Sequence, residues 1–387
     1  MTQLPVRNPV YIVPPYSLTG DILSFRRCGL QYRYLNGSAL PPSRPVQMWF
    51  GEFIHAVMEM AIRNYQEGRY GALPWFDDVI DNISDIIIAR LANEGKTPRS
   101  RKVERIARAR VKISINELGP ILFPLVSTPE VPLSGTRLMP EPCRHRAEYY
   151  EVTGRIDIIT NLQMNTLEVG INPIVDMVRE FLPTVNNEPF EVIVDYKGMR
   201  RPTTASTDWQ IYEWQLQTYA WIRQKQPGSL PVRAGLIIFI NELLPSISDM
   251  RRLRVDMAND ATDVRPANGT RDLDIALKTP RGASPFGLSW SFRLCRALRL
   301  VRVEELDQLN ALGRFDQIVA EIEEAVAKEV ETGSIRQSWP MNPVTETCVA
   351  CDFRGICPKS RYRGPAVAPL GRPDEPTYTE EEQVDSE

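Results

Sequence analysis

Two segments of the 387-residue sequence place carboxylates close to a single lysine. Asp157 ends a Gly-x-x-Asp motif, and Asp195 and Lys197 lie near the end of an apolar run at 190–198. Alternate strand residues point the same way, so Asp195 and Lys197 share a face while the carbonyl of Tyr196 stays available. Two carboxylates and a carbonyl suit a hard cation such as Mg2+ or Mn2+. With a lysine to position an attacking water, the pattern favours metal-assisted hydrolysis.

An apolar strand that ends in Asp-x-Lys is, on its own, more often a surface ion pair. The composition argues against that alternative, because the chain has 38 Arg and only 8 Lys. Lys197 is the only lysine between Lys112 and Lys225. A guanidinium cannot lose its proton and presents a broad fork, whereas a compact amine fits beside a bound water, so the exception is chemically meaningful.

One of the two histidines lies on a clear amphipathic pattern. Apolar residues recur at helical spacing over 51–68, which predicts a helix with His55 in its first turns. A lone histidine on such a helix is more often packed in the core. On its own, His55 therefore stays undecided, and His145 matches no pattern.

The centre of the chain changes from helical to alternating periodicity. Three β-branched and aromatic runs predict strands, at 147–160, 190–198 and 232–242. An aromatic-rich helix at 207–225 separates the last two. This order predicts an α/β (α+β) fold with a central mixed β-sheet flanked by helices.

The remaining segments are predicted to be helices around this centre, two inserts and a tail. The helices are 17–34, capped by Thr19 and carrying Cys28, and 77–92, 99–115 and 303–331. The inserts lie near 161–190 and 245–285, the second of them irregular. The tail at 365–387 mixes proline with seven acidic residues, which predicts disorder and a contact for protein partners.

The charge pattern leaves the binding surface open. The net charge is −3, so nucleic-acid binding requires a local basic surface. The helix at 99–115 is strongly basic, and a solvated face and a phosphate-binding face are equally compatible with it. Trp209, Trp214 and Trp221 are candidates for base stacking, although core packing is the more common role. No apolar run is long enough to span a bilayer and no secretory signal is present, so a soluble, cytoplasmic protein without membrane contact is expected.

Four of the six cysteines form a set divided between the two ends of the chain. Cys348, Cys351 and Cys357 form C-x2-C-x5-C, and Cys28 lies near the start. Zinc is the metal that a lone CxxC usually binds. A zinc site normally needs a second CxxC or a histidine pair as well, and neither follows in the sequence. Four thiolates also suit a 4Fe-4S cluster. The remaining cysteines are interpreted as ordinary thiols: Cys143 and Cys295.

Four motifs together resemble the PD-(D/E)XK nucleases, in particular their RecB-like branch. Gly51 to His55 matches G-x-x-x-H, and Gly154 to Asp157 matches G-x-x-D. Asp195 to Lys197 matches (D/E)-x-K, and Gln215 to Tyr219 matches Q-x-x-x-Y. The order agrees with the family, although the segment between Asp157 and Asp195 is longer than the expected hairpin. The resemblance implies a restriction-endonuclease-like core.

The resemblance also implies roles for single residues. It assigns the metal to three side chains and one backbone carbonyl, those of His55, Asp157, Asp195 and Tyr196. It assigns the attacking water to Lys197. Support of that lysine, or contact with the nucleic acid, is assigned to Gln215 and Tyr219.

The cysteine set resembles the iron-sulphur subgroup of this branch, which includes AddB-type recombination nucleases and CRISPR adaptation nucleases. That resemblance implies a 4Fe-4S cluster on Cys28, Cys348, Cys351 and Cys357 that joins the ends of a nuclease domain at 1–364. The expected function is a Mg2+- or Mn2+-dependent deoxyribonuclease, more an exonuclease than an endonuclease, in DNA repair, recombination or CRISPR adaptation. Its expected partner is DNA, single-stranded or with free ends. The alternatives are a non-catalytic DNA-binding scaffold and a zinc-stapled interaction protein; the oligomeric state stays open.

Overall fold

A mixed sheet of six strands forms the centre of the computed structural model, which describes residues 13–37, 49–143, 146–185, 188–278, 280–349 and 351–360. The strands are β1 (Pro15–Ser17), β2 (Val126–Leu138), β3 (Tyr149–Leu162), β4 (Phe190–Lys197), β5 (Val232–Phe239) and β6 (Leu298–Arg302). Their order is β1-β3-β4-β5-β6, and β2 also pairs with β3. The predicted mixed sheet is confirmed.

Strand β3 has a gap along one of its edges. Strand β2 runs antiparallel along the other edge, over residues 149–160 of β3. On the edge with the gap, β1 pairs in parallel with residues 151–153 and β4 pairs antiparallel with residues 158–162. Neither of these described strands pairs with 154–157, so the Gly-x-x-Asp motif lies between them.

Helices cover both faces of the sheet. One face packs against α3 (Trp49–Gln66), α4 (Asp77–Asn93) and α5 (Arg101–Ile113), and the other against α8 (Asp208–Gln224) and α13 (Glu305–Thr332). The remaining helices are α1 (Leu23–Arg27), α2 (Gly29–Gly37), α6 (Gly119–Leu122), α7 (Pro173–Phe181), α9 (Ile240–Leu243), α10 (Ile247–Ala258), α11 (Arg271–Leu277), α12 (Trp290–Ala297), α14 (Ile335–Ser338) and α15 (Thr345–Val349). No helix of the described ranges is both long and apolar enough to cross a bilayer.

The alternation of β4 explains where its polar residues point. Val192, Val194 and Tyr196 are buried in the apolar cluster that includes α3. Ile193 belongs to the cluster on the opposite face, with α8 and α13. Because strand residues alternate, Asp195 is directed toward α8.

The predicted helix at 17–34 is interrupted. A π-helical turn at Leu18–Ile22 leads into α1, and Cys28 is extended, with φ −167° and ψ 110°, before α2 begins. The predicted N-cap Thr19 is wrong. The Ser17 hydroxyl accepts the capping hydrogen bond from the backbone N–H of Gly20, because the turn starts two residues earlier than a Thr19 cap would place it.

Two other regions also differ from the sequence analysis. The segment 245–285, expected to be irregular, contains α10 and α11, and Ser246 and Asp249 form a capping box at the start of α10. Strand β2 was not predicted because prolines interrupt its pattern, but edge strands tolerate proline. The tail at 365–387 and His145 lie outside the described residues.

Candidate active site

A cleft of about 820 Å³ opens beside the gap in β3, where β4 ends. Its walls come from β3, β4, α3 and α8. The cleft brings together the side chains selected from the sequence, namely His55, Asp157, Asp195, Lys197, Gln215 and Tyr219, together with Tyr196. Four separate elements of the fold therefore meet at one concave surface, which is the usual form of a catalytic site.

Asp195, Lys197 and Gln215 form a closed triangle of polar contacts. The Lys197 ammonium lies 2.6 Å from Asp195 Oδ2 and donates to Gln215 Oε1 at 2.9 Å. The Gln215 amide in turn donates to Asp195 Oδ1 at 3.0 Å. Burial raises the pKa of Asp195, and the charge of Lys197 opposes that rise. Gln215 therefore fixes the relative positions of the acid and the amine.

The Lys197 ammonium keeps one donor for the cleft. It has three N–H groups, and Asp195 and Gln215 take two of them. Its nitrogen also lies 4.8 Å from the centre of the Tyr212 ring, a distance at which a cation and an aromatic face attract each other. Among the described residues no third hydrogen-bond acceptor contacts it, so the remaining N–H is available to a water or a phosphate oxygen.

Asp157 is held from two sides. Its Oδ1 lies 3.1 Å from His55 Nδ1, and its Oδ2 accepts from the backbone N–H of Tyr196 at 2.7 Å. Although burial raises the pKa of Asp157, His55 and the Tyr196 N–H lower it below its usual value. For His55, burial lowers the pKa but the Asp157 carboxylate outweighs this and raises the pKa to about 9.

In metal-free protein, the His55–Asp157 pair should stabilise the fold at low pH. The folded pKa of His55 is about 9 and the ordinary value is 6.5. The contribution is therefore fully present below pH 6.5 and is lost as the pH rises through about 9. We expect a loss of about 1–2 kcal/mol, since partial exposure of His55 screens the pair. Urea unfolding in EDTA on either side of this interval measures it. His55→Gln should abolish this part of the pH dependence, and identical profiles would contradict the assignment.

Glu130 is a cleft-side residue that the sequence analysis missed. It lies on β2 between the register pairs Pro129–Ile158 and Val131–Ile156, and therefore across from Asp157. Its φ of 52° is in the left-handed region, which is rare for a non-glycine residue in a strand. Burial and the charge of Asp157 raise its pKa. Only pairing of β2 with β3 brings Glu130 here, and no motif of the sequence pointed to it.

The donor atoms at the cleft suit a divalent cation. His55, Glu130 and Asp157 each offer one ligand atom, and these atoms lie within 4.8 Å of one another. Among the described residues they form the one group of histidine, cysteine and acidic side chains this compact, and Asp195 is not part of it. Carboxylates with one imidazole fit Mn2+ or Mg2+. The hydroxyl of Tyr196 is buried without a hydrogen-bond partner in the described chain, beside the same carboxylates.

Tyr219 explains the glycine of the Gly-x-x-Asp motif. A Cβ atom at Gly154 would lie 2.5 Å from Tyr219 Cε1. Burial, followed by the charges of Asp195 and Asp157, raises the pKa of Tyr219, and the neighbouring Gln215 side chain and Arg155 backbone oppose that rise. The ring therefore packs directly on β3 and supports Gln215.

Gly154→Ala should lower the free energy of unfolding by about 1–3 kcal/mol, because the new methyl group overlaps the Tyr219 ring. Denaturant unfolding measures the change. Gly313→Ala is the matched control, since a Cβ there meets no atom within 4 Å and removes a glycine from the interior of α13. It should stabilise by up to about 1 kcal/mol. An unaffected Gly154→Ala protein would contradict the close packing.

Parts of two predicted nucleic-acid surfaces are used for internal packing. Trp209 and Trp214 are buried, which confirms core packing for these two. On α5, Arg108 pairs with Asp85 and Glu104, and Lys112 pairs with acids of α4. Two of the six basic residues of this helix are thus paired with acids of its neighbour, whereas Arg101 and Arg105 are exposed.

The four cysteines of the divided set line one pocket: Cys28, Cys348, Cys351 and Cys357. The backbone N–H of Leu30 donates to the carbonyl of Pro340 at 2.9 Å, and Tyr34 packs on Phe353 with ring centres 4.9 Å apart. Burial, together with the charges of the neighbouring thiols Cys28 and Cys357, raises the pKa of Cys351 to about 11. Of the two remaining cysteines, Cys143 is buried and Cys295 is exposed.

The chain has a restriction-endonuclease-like fold. Its mixed sheet carries Asp-x-Lys at the end of the central strand β4, and Gln215 of α8 holds the lysine. The family model described as the PD-(D/E)XK nuclease superfamily matches residues 20–358, so the chain belongs to this superfamily. Nucleases of this superfamily use divalent metals such as Mg2+ or Mn2+ and act on DNA. No curated protein matches the chain.

Proposed function

We propose that the chain is a deoxyribonuclease of the RecB-like branch that acts as an exonuclease on single-stranded DNA or DNA ends. The observation that carries the proposal is the convergence of His55 and Asp157 with the Asp195–Lys197–Gln215 triangle in one cleft. The resemblance of the four motifs supports the RecB-like branch and a role in DNA repair, recombination or CRISPR adaptation, and we propose a cytoplasmic location for such a role.

The residues of the cleft have separate roles in this proposal. His55, Asp157, Asp195 and the carbonyl of Tyr196 would hold the cation, and we add Glu130 to this set. A divalent cation bound here would offset negative charge on the phosphate during displacement. Lys197 directs its remaining N–H at the attacking water or a phosphate oxygen, while Gln215 holds the ammonium in place and Tyr219 supports Gln215.

Cleavage of end-labelled single-stranded DNA in the presence of Mn2+ tests the activity. Mononucleotide products released from one end would support an exonuclease, whereas internal fragments from a circular single strand would show an endonuclease. Equal, EDTA-insensitive rates for the wild type and Lys197→Ala would leave a non-catalytic DNA-binding scaffold as the better description.

Glu130→Gln should weaken Mn2+ binding by about tenfold or more, because it removes a charged donor next to His55 and Asp157. Titration calorimetry without DNA measures the affinity independently of catalysis. Glu67→Gln is the matched control, since Glu67 is an exposed acid that pairs with Arg69. Equal affinities of the wild type and Glu130→Gln would remove Glu130 from the site.

We further propose that the four cysteines of the pocket hold a 4Fe-4S cluster. The four side chains come from both ends of the described chain and line one pocket, which supports a shared cluster. The position of Cys28 would let the cluster join these two ends.

A further inference from the structure

Two arginines from distant parts of the chain face the same buried indole. The guanidinium carbon of Arg314, on α13, lies 4.3 Å from the centre of the Trp214 ring, and that of Arg26, on α1, lies 6.0 Å from it. The Trp214 Nε1–H donates to the carbonyl of Ala311 at 2.8 Å, which fixes the ring between the two helices. Trp214 is only 2% exposed, whereas both arginines are exposed.

Neither arginine has an acidic partner in the part of the chain that the structure describes. The neighbouring arginines differ in this respect: Arg299 pairs with Asp263 at 3.1 Å, and Arg302 lies 3.7 Å from Glu304. Burial and the charge of Arg26 lower the pKa of Arg314, so the two guanidinium groups repel each other. An anion placed between them would remove this repulsion, and a phosphate matches the fork of each guanidinium.

The arginine pair is connected to the cleft through α8, which carries Trp214, and through α1, which carries Arg26. Trp214 directly precedes Gln215 on α8, and Arg26 follows Thr19 of the cleft wall by seven helical residues, about 10 Å. A groove of about 470 Å³, lined by Arg314 and Trp214, continues from the pair.

We propose that Arg26 and Arg314 form a phosphate-binding subsite for the DNA strand outside the catalytic cleft. The proposal rests on the proposed nuclease function, since it takes DNA as the anion. The subsite holds the backbone of the strand that enters or leaves the cleft. It carries no base specificity, because the indole face is already covered by the guanidinium groups.

The test is binding of a fluorescent single-stranded oligonucleotide to the full chain in EDTA, at several salt concentrations. Arg26→Gln and Arg314→Gln should each reduce the slope of log K against log salt by about 0.7, and the double variant by about 1.4. Arg105→Gln is the matched control, an exposed arginine on α5. Cleavage of a dinucleotide in Mn2+, which is too short to reach the subsite, should proceed equally in the wild type and the double variant.

An unchanged slope in the double variant overturns the subsite, as does an equal change in Arg105→Gln. If the wild type fails to cleave DNA but the slopes change as expected, the nuclease proposal fails and the subsite stands. Arginine-dependent binding of a synthetic peptide of residues 371–387, with an unchanged DNA slope, would assign the pair to an acidic protein segment and overturn the proposal.

Discussion

Lys197→Ala should lower the rate of DNA hydrolysis by about 10²- to 10³-fold, the usual cost of removing one group that stabilises developing charge. The ammonium is fixed by Asp195 and Gln215 and retains one N–H toward the cleft. Its removal therefore takes away the donor without moving a backbone element. The loss should fall on kcat, with the affinity for DNA in EDTA nearly unchanged, because Lys197 is one cation among many.

Two further variants make the result specific. Lys225→Ala removes an exposed lysine one residue beyond α8 and should retain full activity. Lys197→Arg keeps the charge but not the compact amine, so its rate should stay well below that of the wild type. Activity of Lys197→Ala within a few-fold of the wild type would exclude Lys197 from the chemistry.

Cys28→Ser should abolish the iron content and visible absorption of anaerobically purified protein. If the cluster joins the two ends, its loss should cost about 2–5 kcal/mol, comparable with removal of a native cross-link. A melting temperature lower by about 2–6 °C would follow for a chain of this size. Metal analysis and a thermal unfolding scan measure both effects.

Cys295→Ser is the control, because Cys295 is exposed and lies away from the pocket lining. It should retain iron, colour and stability. A colourless wild-type protein with one zinc per chain would contradict the cluster and support a zinc-stapled interaction protein.

Local periodicity explains how the cleft residues pair, although the resemblance of the four motifs was needed to select His55, Gln215 and Tyr219. Asp195 and Lys197 are two apart on a strand, and Gln215 and Tyr219 are four apart on a helix, so each pair shares a face whatever the tertiary structure. Glu130 differs, because it reaches Asp157 only through pairing of β2 with β3. Its strand has prolines that a pattern search counts against it.

The role of the basic helix likewise could not be read from its own residues. The sequence of α5 shows the positive charges, but the acids that pair with two of them belong to α4 and face α5 only after packing. The prediction of Thr19 as the N-cap was wrong because the hydrophobic pattern locates the start of a helix only to within a turn. Capping depends on the dihedral angles of a single residue, which here is Ser17.

The short strand β1 connects the cysteine pocket to the cleft, so damage at either place could reduce activity in the same way. It borders the gap in β3, and the chain runs from it through Ser17 and Thr19 of the cleft wall to Cys28 of the sulfur pocket in about ten residues. Oxidation of the thiols would therefore disturb the same segment that forms part of the cleft wall. A turnover assay alone would then not distinguish loss of the proposed cluster from loss of a residue in the cleft. Spectroscopy of the proposed cluster would separate the two.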